Sequence, residues 1–179
     1  MIQYETVNSS FFDSNKQYCE AIEREFKPLN LDCSGFCNSY GYEIETTLIR
    51  NDLTFKIRYH KHQSTQNGVV KAVDAIDYAG VEVIVTGFNK KFKMTIGKSL
   101  FIRFFCSNEI KSKIPKPYFI KYNDSTESIF IYYLVERLLN NKISKIKLRN
   151  GTFICKIHVP TADPIKLISD IEKTVKNWV

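Results

Sequence analysis

The alternation of apolar and polar residues is sharpest near the middle of the chain. Val81, Val83 and Val85 fall on one side of an extended segment, and Phe92, Met94 and Ile96 on one side of the next. Residues 100–106 are apolar on both sides, with Leu100, Ile102 and Phe104 opposite Phe101 and Phe105. Breaks fall at Gly87 with Asn89 and again at Gly97. This period of two predicts three consecutive strands, the third covered on both faces.

The same reading extends along the chain. Cys19, Ile22 and Phe26 recur at helical spacing, so residues 13–27 are expected as a helix, with Asp13 as N-cap and Pro28 as its stop. Residues 29–39 are expected as a loop. Asn51-Asp52 predicts a two-residue turn between strands 40–50 and 53–62. That register sets Leu48 against Phe55, Thr46 against Ile57 and Ile44 against Tyr59 on an apolar face. The opposite face pairs Glu45 with Arg58 and Glu43 with His60. Residues 67–80 suit a short helix through Val69, Val73 and Ile76, with strand spacing left open, and 118–122 suit a short edge strand.

Asp124 and Glu127 form a capping-box pattern that opens a helix to about residue 140. Its segment 129–135 is apolar nearly all round, which calls for cover on several sides. Asn150-Gly151 predicts a second hairpin, with Leu148 facing Phe153, Ile146 facing Cys155 and Ser144 facing Ile157. The outer face then opposes Lys145 to Lys156 and Lys147 to Ile154, with Arg149 and His158 nearby. Asp163, Pro164 and the stripe Ile168, Ile171, Val175 and Trp178 close the chain with a helix. The expected fold is a single α+β domain over 1–179, a largely antiparallel sheet with helices packed on one side, in the order α-ββ-(α)-βββ-α-ββ-α.

That order of elements, over residues 13–179, is similar to small dimeric adaptors such as type III secretion chaperones and the YbjN-like proteins. The similarity is one of topology and rests on no diagnostic residues. It implies a two-fold interface on the helix at 126–140, through Phe130, Tyr132 and Tyr133.

Composition adds partners to this picture. With 44% hydrophobic and 25% charged residues among 179, the chain is expected to fold as a globular protein. Its net charge of +7 is unevenly spread. Acids outnumber bases up to residue 80, while Lys90, Lys91 and Lys93 open a segment to 121 whose one acid is Glu109. Such asymmetry suits an anionic partner, against the plainer reading of a solvated lysine-rich surface. Five cysteines form no disulfide framework, no signal peptide is visible and no apolar run reaches the roughly 18 residues of a membrane span, so a cytoplasmic protein with reduced thiols and no membrane span is expected.

Motifs for chemistry are sparse. Neither Gly-x-Gly-x-x-Gly nor a complete Gly-x-x-x-x-Gly-Lys-Ser/Thr occurs; Gly97-Lys98-Ser99 carries only the last three letters of the second. Cys33 and Cys37 with His60 and His62 are the nearest approach to a metal set. Their spacing is looser than a zinc motif, and an exposed His pair with incidental cysteines is the plainer account. Cys155 and His158, three apart on a strand, point to opposite faces and do not make a nucleophile pair. The sequence therefore suggests a non-enzymatic, self-associating interaction domain with a protein or peptide partner and no cofactor. The alternative is a nucleic-acid or anionic-ligand binder using Lys90, Lys91, Lys93, Lys145, Lys147, Arg149 and Lys156. A metal-dependent enzyme ranks third.

Overall fold

Two tight turns set the register of the sheet. In the computed structural model, which describes residues 1–5, 10–63, 77–87, 93–98, 118–122, 143–157 and 164–176, Asn51 and Asp52 have φ of 48° and 63°. Asn150 and Gly151 have 51° and 73°. Positive φ at both central residues is the type I′ condition, whose twist matches that of the flanking strands. The first turn joins Gly41–Arg50 (β3) to Leu53–Gln63 (β4), pairing Leu48 with Phe55, Thr46 with Ile57 and Glu45 with Arg58. The second joins Ile143–Arg149 (β8) to Thr152–Ile157 (β9), pairing Leu148 with Phe153 and Lys145 with Lys156. Both registers are those the alternation predicts, with one correction. A bulge between Ile143 and Lys145 sets Ile143, not Ser144, against Ile157, and the Ser144 hydroxyl donates to the Lys156 carbonyl at 2.9 Å.

Among the described residues the chain is α+β, with a sheet of nine strands. Ile2–Tyr4 is β1, Ser34–Asn38 β2, Asp77–Thr86 β5, Met94–Gly97 β6 and Phe119–Tyr122 β7. The order across the sheet is β1-β2-β3-β4-β5-β9-β8-β6-β7. Every pairing is antiparallel except β1 with β2, which run parallel. Between those two lies the helix Ser10–Phe26 (α1), so the N-terminal segment forms a small βαβ unit where none was expected. The expected loop at 29–39 is likewise corrected: residues 34–38 form β2. Its turn into β3 is held by Asn38, whose Oδ1 accepts from the backbone N–H of Tyr40 and Gly41 at 2.9 and 3.0 Å.

Other expectations shift. Helix α1 begins three residues before Asp13, which lies in its first turn and is not its cap. Pro28 ends it in a short 3-10 turn, Lys27–Leu29, closed by Asn30 at φ 53°. Residues 77–80 are extended, as part of β5. Although β5 and β6 follow one another in sequence, β9 and β8 stand between them in the sheet. The expected strand at 100–106 and helix at 124–140 lie outside the described residues. The C-terminal helix is Pro164–Lys176 (α2).

One face of the sheet is the core. Reading across it, Thr46, Ile57, Val83, Cys155, Ile146, Ile96 and Ile120 stand in register on seven strands, and all are buried. Each such aliphatic side chain stabilises the fold by about 1.5–3 kcal/mol. Helix α1 lies on this face, with Phe26 edge-on to Tyr59 and Tyr18 stacked on Tyr42. Its buried Asn15 donates to the Asn38 carbonyl at 2.9 Å and accepts from Lys61 Nζ at 3.3 Å. Ile168 and Ile171 of α2 join the same core. Glu172 of α2 accepts a hydrogen bond from the Asn51 side chain and pairs with Arg50 at 3.6 Å, tying that helix to the first turn.

Candidate anion-binding face

The alternation that buries one face sends the charged residues to the other. Across that second face, Glu45, Arg58, Glu82, Lys156 and Lys145 stand in register on five neighbouring strands, with signs that alternate until the last two. The ion pairs follow the register. Arg58 Nε meets Glu45 at 2.7 Å and Arg58 Nη1 meets Glu82 at 4.0 Å, while Lys156 Nζ meets Glu82 at 2.8 Å. Lys56 adds a second bond to Glu45 at 2.5 Å. Burial alone would raise the Glu45 carboxyl, but Lys56 and Arg58 together outweigh it and hold the group below the ordinary carboxylate range.

The compensation stops at β9. On β8, Lys145, Lys147 and Arg149 project from alternate positions of one strand, about 7 Å apart. Lys145 and Arg149 are exposed and Lys147 half-buried. Lys156 lies on one flank, opposite Lys145. On the other, Thr95 of β6 pairs with both Lys147 and Lys121, which brings the exposed Lys121 of β7 to the same face. Among the described residues, Lys145, Lys147 and Arg149 take no part in the ion pairs just given, which run from Glu45 to Lys156. Like charges directly opposite, as at Lys145 and Lys156, repel unless water or an anion lies between them. The sheet thus divides into a neutralised half over β3–β5 and a cationic half over β9, β8 and β7.

His60 marks the far side of the neutralised half. Gly80 faces it, and a Cβ there would stand 3.1 Å from His60 Cε1 and Nε2, so glycine is what lets the imidazole lie across β5. Burial and the neighbouring His62, with its ring 6.2 Å away, lower the His60 pKa below its ordinary value of 6.5. Lys156 adds to that effect, against Glu82 and Glu43.

The residues singled out from sequence scatter differently from one another. Lys145, Lys147, Arg149 and Lys156 gather on one face, while Lys93 is exposed next to β6. Lys90 and Lys91 lie outside the described residues, as do Phe130, Tyr132 and Tyr133. Cys33 and Cys37 are buried, near Thr46 and Cys19 respectively. His60 stands on the opposite side of the sheet, in register with Glu43 and Gly80, so the proposed metal set is not assembled. Among the described residues, no group of three or more His, Cys, Asp or Glu is placed to hold a metal ion. Cys155 lies in the core, with its thiol pushed up to about 12 by burial, far from the thiolate a nucleophile requires. Sequence reasoning placed Lys121 in the basic segment to 121 but not on the face of β8, and missed the bridging role of Glu82, because both depend on strand order.

No protein-family model, curated protein or solved structure matches this chain. No helix among the described residues is long and apolar enough to cross a membrane.

Proposed function

We propose that this chain is a non-enzymatic binding domain whose cationic half-sheet, formed by β9, β8 and β7, holds a single-stranded nucleic acid. In this reading the helices pack on one side of the sheet and leave the charged side for the partner. The observation that carries it is the gathering of Lys145, Lys147, Arg149, Lys156 and Lys121 on one face, beside strands where Glu45, Lys56, Arg58 and Glu82 are ion-paired. A row of cations at strand spacing suits successive phosphates of an extended chain better than a single small anion, and open antiparallel faces present a surface on which unstacked bases can lie. Phe119, half-buried on the same face, supplies a ring next to the lysines.

The test is binding of a labelled single-stranded oligonucleotide to the full chain, compared with the Lys147→Glu, Arg149→Glu double variant at unchanged thermal stability. Loss of binding supports the reading. Affinity unchanged in the double variant removes it. Tighter binding of duplex, or of an acidic peptide, would redirect it to that partner.

A second reading, a protein partner with self-association, is favoured by Ile49 and Phe36. They are 72% and 41% exposed, on strands neighbouring the paired charges. Sedimentation of the pure chain tests it, since a monomer at all concentrations would remove self-association.

A further inference from the structure

Of the four residues that suggested a metal in the sequence, the two histidines do come together. His60 and His62 occupy alternate positions of β4 and so leave the strand on the same side. Their rings are nearly parallel, at 26°, with centroids 6.2 Å apart. His62 is exposed and His60 half-buried. Among the described residues, neither imidazole takes a hydrogen bond or an ion pair.

The neighbouring strands leave room around the pair. On β5, Gly80 stands opposite His60, and a Cβ there would come within 3.1 Å of the His60 Cε1 and Nε2. On β3, Gly41 stands opposite His62. Each ring thus has a glycine on one flank, and the two glycines lie on opposite sides of β4. The exposed Glu43 of β3 is in register with His60. It takes no part in the ion pairs that run from Glu45 to Lys156. Directly opposed residues hold their Cβ atoms about 4.5–5.5 Å apart, so the Glu43 carboxylate can reach a water held beside His60.

We propose that His60 and His62 form a two-imidazole clamp for a divalent transition-metal ion, Cu2+ before Ni2+ or Zn2+, completed by water that Glu43 steadies. Two nitrogens that each stand about 2.0–2.1 Å from one ion are at most about 4 Å from each other. Rotation of the exposed His62 ring closes the pair to that span, with the centroids approaching by roughly 1–2 Å. Imidazole suits copper, nickel and zinc, and nitrogen ligands bind Cu2+ more tightly than either of the others. Cys33 and Cys37, in the core, have no part in the clamp.

An imidazole coordinates only in its neutral form. Burial and His62 hold the His60 pKa below 6.5, with Lys156 of β9 acting in the same sense and Glu82 of β5 and Glu43 of β3 against it. His60 therefore stays available to a metal at a lower pH than an ordinary histidine.

The test titrates Cu2+ into the full chain, stripped beforehand with a chelator, with glycine present as a weak competing ligand. The expected result is uptake of one equivalent, with coupling to two imidazole nitrogens in the copper spin-resonance spectrum and weaker uptake of Ni2+. His62→Ala, at an exposed position, should bind Cu2+ about a hundredfold more weakly, because the second ligand acts at high effective concentration. His60→Gln should lose as much. Unchanged affinity in His62→Ala, with the same melting temperature as the native chain, would overturn the proposal. So would sulfur ligation in the spectrum, or a native chain that takes up no Cu2+ at neutral pH.

Discussion

Replacing Glu82 by Gln separates the two halves of the charged face more directly than removing any lysine. The Glu82 carboxylate bridges Arg58 and Lys156 and is 16% exposed, whereas its partners are 38% and 51% exposed. With partners so open to solvent, the lost ion pairs cost stability by no more than about 1 kcal/mol. The consequence for binding has the opposite sign. Lys156 loses its only acid among these pairs and joins Lys145 as an uncompensated cation. A unit charge removed about 7 Å from a bound phosphate in a water-like dielectric changes the interaction by roughly 0.6 kcal/mol, or about threefold in affinity. Glu82→Gln should therefore bind single-stranded oligonucleotide about threefold more tightly by fluorescence anisotropy at low salt. The gain should shrink as salt rises. Binding that weakens, or does not change while the wild-type chain binds, would refute the assignment of the partner to this face.

The remaining predictions concern the sheet that presents those charges. Phe55→Ala, at a fully buried position, should cost about 3–5 kcal/mol in urea unfolding, whereas Lys56→Ala on the other face should cost under about 1 kcal/mol. Similar costs at the two positions would contradict the alternation. Asp52→Gly should stabilise the first turn by up to about 1 kcal/mol, because Asp52 sits at φ 63° and a type I′ turn favours glycine there; a lower melting temperature would count against it. Because His60 is held below 6.5 when folded, the unfolded chain binds its proton first as pH falls. Its contribution to stability is intact above pH 6.5 and is lost as pH drops towards the lower folded value. His60→Gln should flatten that part of the stability–pH curve, with His62, Glu43, Glu82 and Lys156 unchanged around it.

Much of the sheet was legible because its turns are short and chemically explicit. Asn51-Asp52 and Asn150-Gly151 fix two registers, and each register fixes which side chains share a face. The opposed lysines at 145 and 156 follow from the second turn alone. The bulge at Ser144 does not, since nothing in the local pattern marks the extra residue. Strands β1 and β2, of three and five residues, carry too few alternations to declare themselves, and β1 pairs with β2 across a whole helix. The turn at Asn38 was visible in principle, because Asn followed by Gly three positions later is turn chemistry. Strand order was beyond local reading. The placement of β9 and β8 between β5 and β6 is what brings Glu82 to Lys156 and Lys121 to Lys147.

The central claim, that the partner lies on the cationic half-sheet, is tested most directly by lysine footprinting. The full chain is acetylated with and without saturating single-stranded oligonucleotide, and the modified lysines are quantified by mass. The account predicts protection of Lys145, Lys147, Lys156 and Lys121, with Lys16 and Lys27 beside or on α1 reacting as before. Protection confined to Lys16 and Lys27, or no protection at β8 under conditions where the oligonucleotide is bound, would contradict it.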